Sequence, residues 1–410
     1  MRLLLYRLGL WGYRLVVGLA ALLGHAKARK WVQGRRGWRR QLPQFDKPCI
    51  WLHAASLGEF EQGRPVLEAL RAAWPDVPVL VTFFSPSGYE ARQHYDAQVR
   101  YLPLDGPATA RTWLEAIPIR LAIFVKYDFW YYYLRGLRQR QVPTYLLSAS
   151  VVPGSSIFRW PQKPLYGQML ACYTHIFTQN EETRKLLGQH FGLSAVSVSG
   201  DTRFDRAIQV RATEADFGLI ERWLAGRFCI LGGSTYPYSE QLLAEAMQQP
   251  ELQDAAWILA PHTVDEGHIQ QILRRYGAAA VRLSALQPGQ HSRVLVVDRI
   301  GLLARLYRLA QVAYVGGGFQ AGIHNILEPA VYGCYTLYGP RHHKFPEGRA
   351  LQAAGGGCEV QDAHSLCQQL VWAATQPEGL AHRQAQARHF IEQHAGATGR
   401  VMQALLAQAQ

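Results

Sequence analysis

Cys49-Ile50-Trp51-Leu52-His53 runs directly into Ala54-Ala55-Ser56-Leu57-Gly58-Glu59-Phe60-Glu61. A short apolar run gives way to small residues, a glycine and an acid, and then to a helical pattern reaching Leu70. This is the junction of a buried strand with a helix. The alternation repeats. Further apolar runs lie at 77–84, 99–104, 121–127, 142–148, 175–178 and 195–199, each bounded by Gly, Pro or polar residues. A second series follows at 228–232, 256–260, 279–283, 294–297, 312–315, 335–338 and 358–360. Short runs rich in β-branched and aromatic residues, separated by helical stretches, predict α/β domains with buried parallel sheets.

The polar, charged stretch between the two series marks a boundary. The expected organisation is an N-terminal segment over 1–44, a Rossmann-like domain over 45–205, a linker over 206–226 and a second Rossmann-like domain over 227–410. The Gln/Ala-rich end of the chain reads as a helix belonging to the second domain. Two such domains in succession imply a cleft facing the carboxyl ends of both sheets.

The N-terminal segment carries charge of one sign. Ten Lys and Arg and no acid occur before residue 46, and they supply most of the net charge of +13. They surround an apolar run from Leu3 to Gly24. Local positive charge joined to apolar surface fits an anionic membrane, not nucleic acid. Arg7 and Arg14 interrupt the run seven residues apart, on one helical face. Three readings stay open: an interfacial helix, a single span, or an amphipathic helix docked on the protein. A span would place Arg14 near the bilayer centre at a cost of roughly 2.5–3.5 kcal/mol. The basic residues that follow keep the main body on the cytoplasmic side. Arg7 and Arg14 break the apolar run, and no convincing small-x-small cleavage site follows it, which speaks against a cleaved signal. The six cysteines form no CxxC pair, which predicts reduced thiols and no zinc site.

Several motifs bear chemistry. Glu59 and Glu61 stand where a helix opens after a strand; each reads as a helix-start acid favoured by the dipole or as a general base at the strand's carboxyl edge. Gly316-Gly317-Gly318 follows an apolar run and precedes Asn325-Ile326-Leu327-Glu328, a pattern open to a phosphate or ribose contact. Gly232-Gly233-Ser234-Thr235 and Pro261-His262 close two runs of the second series. Ser/Thr there suits phosphate or caps a helix. The basic loop at 341–345 faces an anion or solvent. Lys126-Tyr127-Asp128-Phe129-Trp130-Tyr131-Tyr132-Tyr133 offers aromatics as core or as a platform for sugar and lipid. Asp201-Thr202-Arg203-Phe204-Asp205 puts a cation near the domain boundary.

Together these residues resemble the Kdo transferases, which attach 3-deoxy-D-manno-octulosonic acid to a lipid A precursor. Trp51-Leu52-His53-Ala54-Ala55-Ser56-Leu57-Gly58-Glu59 is similar to the family's W-x-H-A-x-S-x-G-E, and His324-Asn325-Ile326-Leu327-Glu328-Pro329-Ala330 carries a second motif. Ser85-Pro86-Ser87-Gly88, 201–205 and 298–301 add weaker likeness. The resemblance spans nearly the whole chain. It implies a membrane-associated N-terminal helix and two Rossmann-like domains in the GT-B arrangement. It implies Glu59 as the general base of an inverting transfer from CMP-Kdo. Ser56, Gly58, Ser85, Ser87, Lys126, Asp128 and Arg203 would lie on the acceptor side. Ser234, Thr235, Pro261, His262, Ile300, Gly301, Leu302, Gly317, Asn325, Ile326, Leu327 and Glu328 would hold the nucleotide sugar. A monophosphate leaving group needs no pyrophosphate-clamping metal, so no metal or other cofactor is expected. The implied place is the cytoplasmic face of a bacterial inner membrane, with no nucleic-acid partner.

Three departures stand out. His262 replaces the family's Arg, Lys126-Tyr127-Asp128-Phe129-Trp130-Tyr131 replaces E-T-E-L-W-P, and the loop at 341–345 is more basic. Two other functions compete: a membrane-associated GT-B enzyme using a UDP-sugar, and a non-enzymatic two-lobed sugar-binding protein.

Overall fold

The computed structural model describes residues 2–343 and 345–408; Met1, Lys344, Ala409 and Gln410 lie outside the described residues. The apolar runs of the first series form one seven-stranded sheet: β1 (Cys49–Ala54), β2 (Val79–Phe83), β3 (Gln98–Tyr101), β4 (Ile119–Val125), β5 (Thr144–Ala149), β6 (His175–Thr178) and β7 (Val196–Val198). Their order is β3-β2-β1-β4-β5-β6-β7 and every pairing is parallel. β1, β2 and β5 are buried along their whole length because helices cover both faces.

The second series forms another parallel sheet: β8 (Cys229–Thr235), β9 (Ala256–Pro261), β10 (Ala280–Arg282), β11 (Val294–Val296), β12 (Val312–Val315), β13 (Tyr335–Tyr338) and β14 (Gly357–Glu359). The order is β10-β11-β9-β8-β12-β13-β14. Each sheet therefore turns back on itself at its first strand. β1 has β2 on one side and β4 on the other, and β8 has β9 and β12.

The domain limits differ from the sequence expectation in three places. The chain forms two compact units, 1–206 with 395–410, and 207–394. Residues 206–226 are not a free linker. Phe217, Ile220, Trp223 and Leu224 are buried in the core of the second unit beside Leu231 and Ile258. The last helix, Ala397–Gln408, belongs to the first unit. Val401 and Leu405, one turn apart, are buried with Ile50, Phe60 and Leu67. Asp205 fixes its start by accepting the Gly396 and Thr398 amides at 2.6 and 2.5 Å.

The third difference is the N-terminal segment, which clusters with the first unit instead of standing apart as a body of its own. It folds as α1 (Arg2–Leu22) and α2 (Ala26–Arg35). One stripe of α1 docks on the unit. Leu3 and Tyr6 pack on its core, and Tyr13 meets the rings of Trp31 and Phe84 at 5.6 and 5.8 Å. The Tyr6 hydroxyl donates to Asp105 Oδ2 at 2.7 Å, and the Tyr132 and Tyr133 amides donate to the same carboxylate at 3.0 and 3.2 Å. Burial pushes the Asp105 carboxyl up to about 6 against the pull of those donors. The opposite stripe of α1, including Leu4, Leu8, Trp11 and Leu19, is exposed.

Arg35 locks α2 in place. Its guanidinium is buried, donates to the carbonyls of Leu102 (3.0 Å), Trp31 (3.3 Å) and Phe84 (2.7 Å), and lies over the Trp31, Phe84 and Tyr101 rings. Removing a buried donor strands its acceptors at about 1–3 kcal/mol each. Arg35→Met is expected to lower the urea midpoint of the whole chain and expose the segment after α2 to protease. Unchanged stability would show that α2 docks without this staple.

Candidate active site

In the first unit the site residues come from the carboxyl ends of β1, β2 and β4, where a sheet reversal parts the connections. β1 leads through Ser56 into α3 (Leu57–Ala73), with Glu59 in its first turn. Ser56 and Glu59 have the S-x-x-E spacing of a capping box. The cap bond from the helix to the Ser56 side chain is not made; the Ser56 hydroxyl donates to the Glu59 carboxylate instead. Glu59 is half-exposed. Gly58 is exposed, and a Cβ there would meet only Ser56 Oγ at 3.8 Å. The fold does not demand glycine at that place.

Glu61 has a different role. It accepts from Arg92 Nη2 at 2.5 Å and Arg206 Nε at 2.8 Å, and Arg64 lies 3.8 Å away. Those bonds hold its carboxyl below the usual range against the opposing effect of burial, which is the largest influence on it. Glu61 thus ties α3 to α4 (Pro86–Arg92) and to the helix Thr202–Ala212. Ser85 caps α4: its amide donates to Ala55 O at 2.7 Å, which seats it beside the end of β1. The Ser85 and Ser87 hydroxyls are 2.9 Å apart.

Lys126 follows the last residue of β4, and its φ of 64° is strained for a residue with a side chain. The turn sends Asp128 into the protein. Asp128 is buried beside His53, with Oδ2 3.8 Å from His53 Nε2 and no hydrogen-bond partner on that oxygen among the described residues. Burial first, and then the Glu59 carboxylate, push the Asp128 carboxyl well above the usual range. Tyr127 feels both the Glu59 carboxylate and the Arg203 guanidinium, so Glu59, Asp128 and Arg203 share one neighbourhood. Arg203 is held by Asp201 through Nε and Nη2 at 2.8 and 2.6 Å.

His53 and Trp130 were not singled out as site residues, yet they support Asp128. Trp130 Nε1 donates to His53 Nε2 at 3.1 Å, so that nitrogen carries no proton. His53 Nδ1 then donates to Thr82, whose hydroxyl is at 2.8 Å. Complete burial drives the imidazole down to about 3. The only local signal was their place in the two motifs.

In the second unit the sites again cluster where the sheet reverses. The rings of Tyr236 after β8, His262 after β9 and His324 after β12 stack, with centroids 4.9 Å apart for Tyr236–His262 and 4.6 Å for His262–His324. The Tyr236 hydroxyl is 3.1 Å from His324 Nε2. Burial and the neighbouring His262 lower His324 to about 4. His262 itself is exposed, while Pro261 is buried. Asn325 is also exposed and donates to Glu328 Oε1 at 3.0 Å, and its Oδ1 accepts the Leu327 amide at 3.1 Å. Ile300 is 86% exposed, on a turn where Gly301 has φ 88°; Leu302 is half-buried.

Other expected contacts have internal explanations. Ile326 and Leu327 are wholly buried, so their side chains serve the core. Thr235 spends its hydroxyl on Glu240 at 3.1 Å, while Ser234 takes a left-handed φ of 50°. The three glycines do not form an open phosphate loop. A Cβ on Gly316 would strike the Ser234 carbonyl oxygen and one on Gly317 the Gly322 carbonyl oxygen, both well inside contact distance, so close backbone packing demands them. No group of His, Cys, Asp and Glu suited to a metal occurs among the described residues.

Two parallel-sheet α/β domains in succession, each with polar residues at its reversal, define a glycosyltransferase fold of the GT-B type. The same fold is seen in UDP-GlcNAc 2-epimerase from Neisseria meningitidis bound to UDP-GlcNAc (12% identity, TM-score 0.61, 88% of this chain and 100% of that one). A glycosyltransferase from Rickettsia africae also shares it (11% identity, TM-score 0.57, 88% and 98%). The family model of 3-deoxy-D-manno-octulosonic-acid transferase (kdotransferase) matches residues 30–206. The 3-deoxy-D-manno-octulosonic acid transferase of Bordetella pertussis is 31% identical over 399 residues, covering 91% of this chain and 90% of its own. That of Aquifex aeolicus is 28% identical, covering 79% and 85%. The chain belongs to the Kdo transferase family and is a glycosyltransferase.

His53 gives a test of the buried arrangement. Its folded pKa lies below the unfolded value of 6.5, so its contribution to stability is complete above pH 6.5 and is lost as pH falls towards 3. NMR is expected to show the His53 ring neutral down to about pH 4. A ring that protonates near pH 6.5 would overturn the assigned tautomer and its bond to Trp130.

Proposed function

We propose that this Kdo transferase takes Kdo from CMP-Kdo and attaches it to a lipid A precursor, with Glu59 as general base. The observation that carries the reading is the division of labour between two neighbouring carboxyl groups. Asp128 is buried and biased towards its neutral form, whereas Glu59 is half-exposed at the start of α3 and bonded to the Ser56 hydroxyl. Environments that separate a pair of acids in this way suit one of them to proton transfer. The acceptor hydroxyl oxygen attacks the anomeric carbon of Kdo as Glu59 takes its proton. The bond from that carbon to the CMP phosphate oxygen breaks, CMP leaves, and the configuration inverts.

In the second unit we assign the nucleotide to the group around His262, Asn325 and Glu328. These residues are polar, border the sheet reversal and are spared by the core. Arg203 and Lys126 supply positive charge on the acceptor side, where lipid phosphates need it. The exposed apolar stripe of α1 and the basic residues beside it hold the enzyme on the cytoplasmic face of the inner membrane. Because the other stripe of α1 is packed on the protein, this mode of attachment is interfacial.

Glu59→Gln is expected to fold normally, since among the described residues the carboxylate's hydrogen bond is to the half-buried Ser56 hydroxyl, and to lower transfer by roughly 10²–10⁴-fold. Mass spectrometry of the product from CMP-Kdo and a lipid A precursor, beside a thermal melt, reads both effects. Near-wild-type turnover by the folded variant would defeat the general-base role. Turnover of UDP-GlcNAc in place of CMP-Kdo would defeat the donor assignment.

A further inference from the structure

α1 and α2 leave a groove of about 740 Å³ between them, within the ~300–1,000 Å³ span usual for small-ligand sites. Trp11, Leu15, Leu19 and Leu22 of α1 and Val32 of α2 form its apolar walls. Arg14 and Arg29 sit on its border. Arg29 Nε donates to the Ala21 carbonyl at 3.0 Å, which sets the guanidinium at the end of α1. Its terminal nitrogens have no acceptor among the described residues, and neither does Arg14.

Two further observations point to an occupant. No acid occurs before residue 46, so the segment contains no counter-ion for these cations. The walls are also not closed by protein: Trp11 is 62%, Leu19 59% and Leu22 81% exposed. An apolar trough bordered by two unneutralised guanidinium groups matches one molecule that is apolar along its length and anionic at its head. We propose that the α1–α2 groove binds a single anionic phospholipid of the host leaflet, with its phosphate at Arg14 and Arg29 and an acyl chain along Leu15 and Leu19. This rests on the membrane association proposed above, and it adds a specific lipid site to a general surface attraction.

Gly18 makes the groove testable without disturbing charge or fold. A Cβ at Gly18 meets nothing within 4 Å, so Gly18→Leu grows into open space while improving helix propensity. Arg14→Gln removes one phosphate donor. Arg7→Gln removes the same charge from the same helical face outside the groove. The full chain in nonionic detergent is titrated with phosphatidylglycerol, and bound lipids are counted by native mass spectrometry. One tightly retained lipid is expected for wild type and Arg7→Gln, with retention about tenfold weaker in Arg14→Gln and Gly18→Leu. Turnover of a detergent-dispersed acceptor by Gly18→Leu is expected to match wild type.

Equal retention by all four proteins, or equal loss in Arg7→Gln and Arg14→Gln, would overturn the site in favour of diffuse attraction. Displacement of the phospholipid by the acceptor lipid would overturn it too, by making the groove an acceptor subsite. Sedimentation of wild type with phosphatidylglycerol vesicles reads the underlying membrane association separately. Failure to sediment sinks that association, whereas unaltered retention in Gly18→Leu sinks the groove alone.

Discussion

Every strand pairing in both sheets is parallel, and that constraint arranges the chemistry of the molecule. Parallel neighbours must be joined by a crossover over a face of the sheet, so all carboxyl ends arrive at one edge. Where the strand order reverses, the crossovers leave on opposite faces and the edge opens. Glu59, Ser85 and Asp128 follow β1, β2 and β4 at one such reversal, and Tyr236, His262 and His324 follow β8, β9 and β12 at the other. Residues far apart in the chain are thereby brought together while the core of each unit stays apolar. The left-handed turn at Lys126 is tolerated in the same setting, because the neighbouring backbone holds it: its amide donates to Leu147 O at 2.8 Å.

In the first unit, one aromatic network joins α1 and α2 to the turn that follows β4. Phe84 stands between Arg35, 4.8 Å from its ring, and Trp130, whose ring centroid is 4.9 Å away. Trp130 in turn bonds His53, and Tyr13 of α1 meets Phe84 from the other side. Asp105 adds a second tie, since one carboxylate accepts from Tyr6 of α1 and from the amides that open the helix Tyr131–Gln139. α1 is therefore a docked element of the first unit. Its charged and apolar outer surface keeps a set position relative to the loop carrying Asp128, which a flexible tether would not provide.

The strands were legible because burial on both faces leaves continuous apolar runs; each of the fourteen expected runs contains a strand, with ends shifted by a few residues. The last helix was legible as a helix but not as a member of the first unit. Its Ala and Gln content speaks for conformation, while its partners, Ile50 and Phe60, lie some 350 residues earlier. The choice between Glu59 and Glu61 had the same difficulty. Arg92 and Arg206, which claim Glu61, are 31 and 145 residues away. The three glycines at 316–318 misled for a related reason: backbone crowding by Ser234 and Gly322 asks for the same residue as a phosphate loop would.

The departure at Lys126 bears on the same crowding of charge. The family pattern places acids at both ends of its E-T-E, whereas this chain keeps only Asp128 of that pair, close to Glu59. A third carboxylate there would add repulsion to two that already oppose each other, and Oδ2 of the buried one has no donor among the described residues. The lysine has the opposite effect. Its Nζ lies over the Tyr127 ring at 5.8 Å, on the residue that also senses Glu59 and Arg203. The exchange changes the local charge by two units and leaves the Ser56–Glu59 pair and the His53–Trp130 support untouched. Under the proposed function, the divergence of this chain therefore falls on the acceptor side of the site, and the carboxylate proposed as the base keeps its partners.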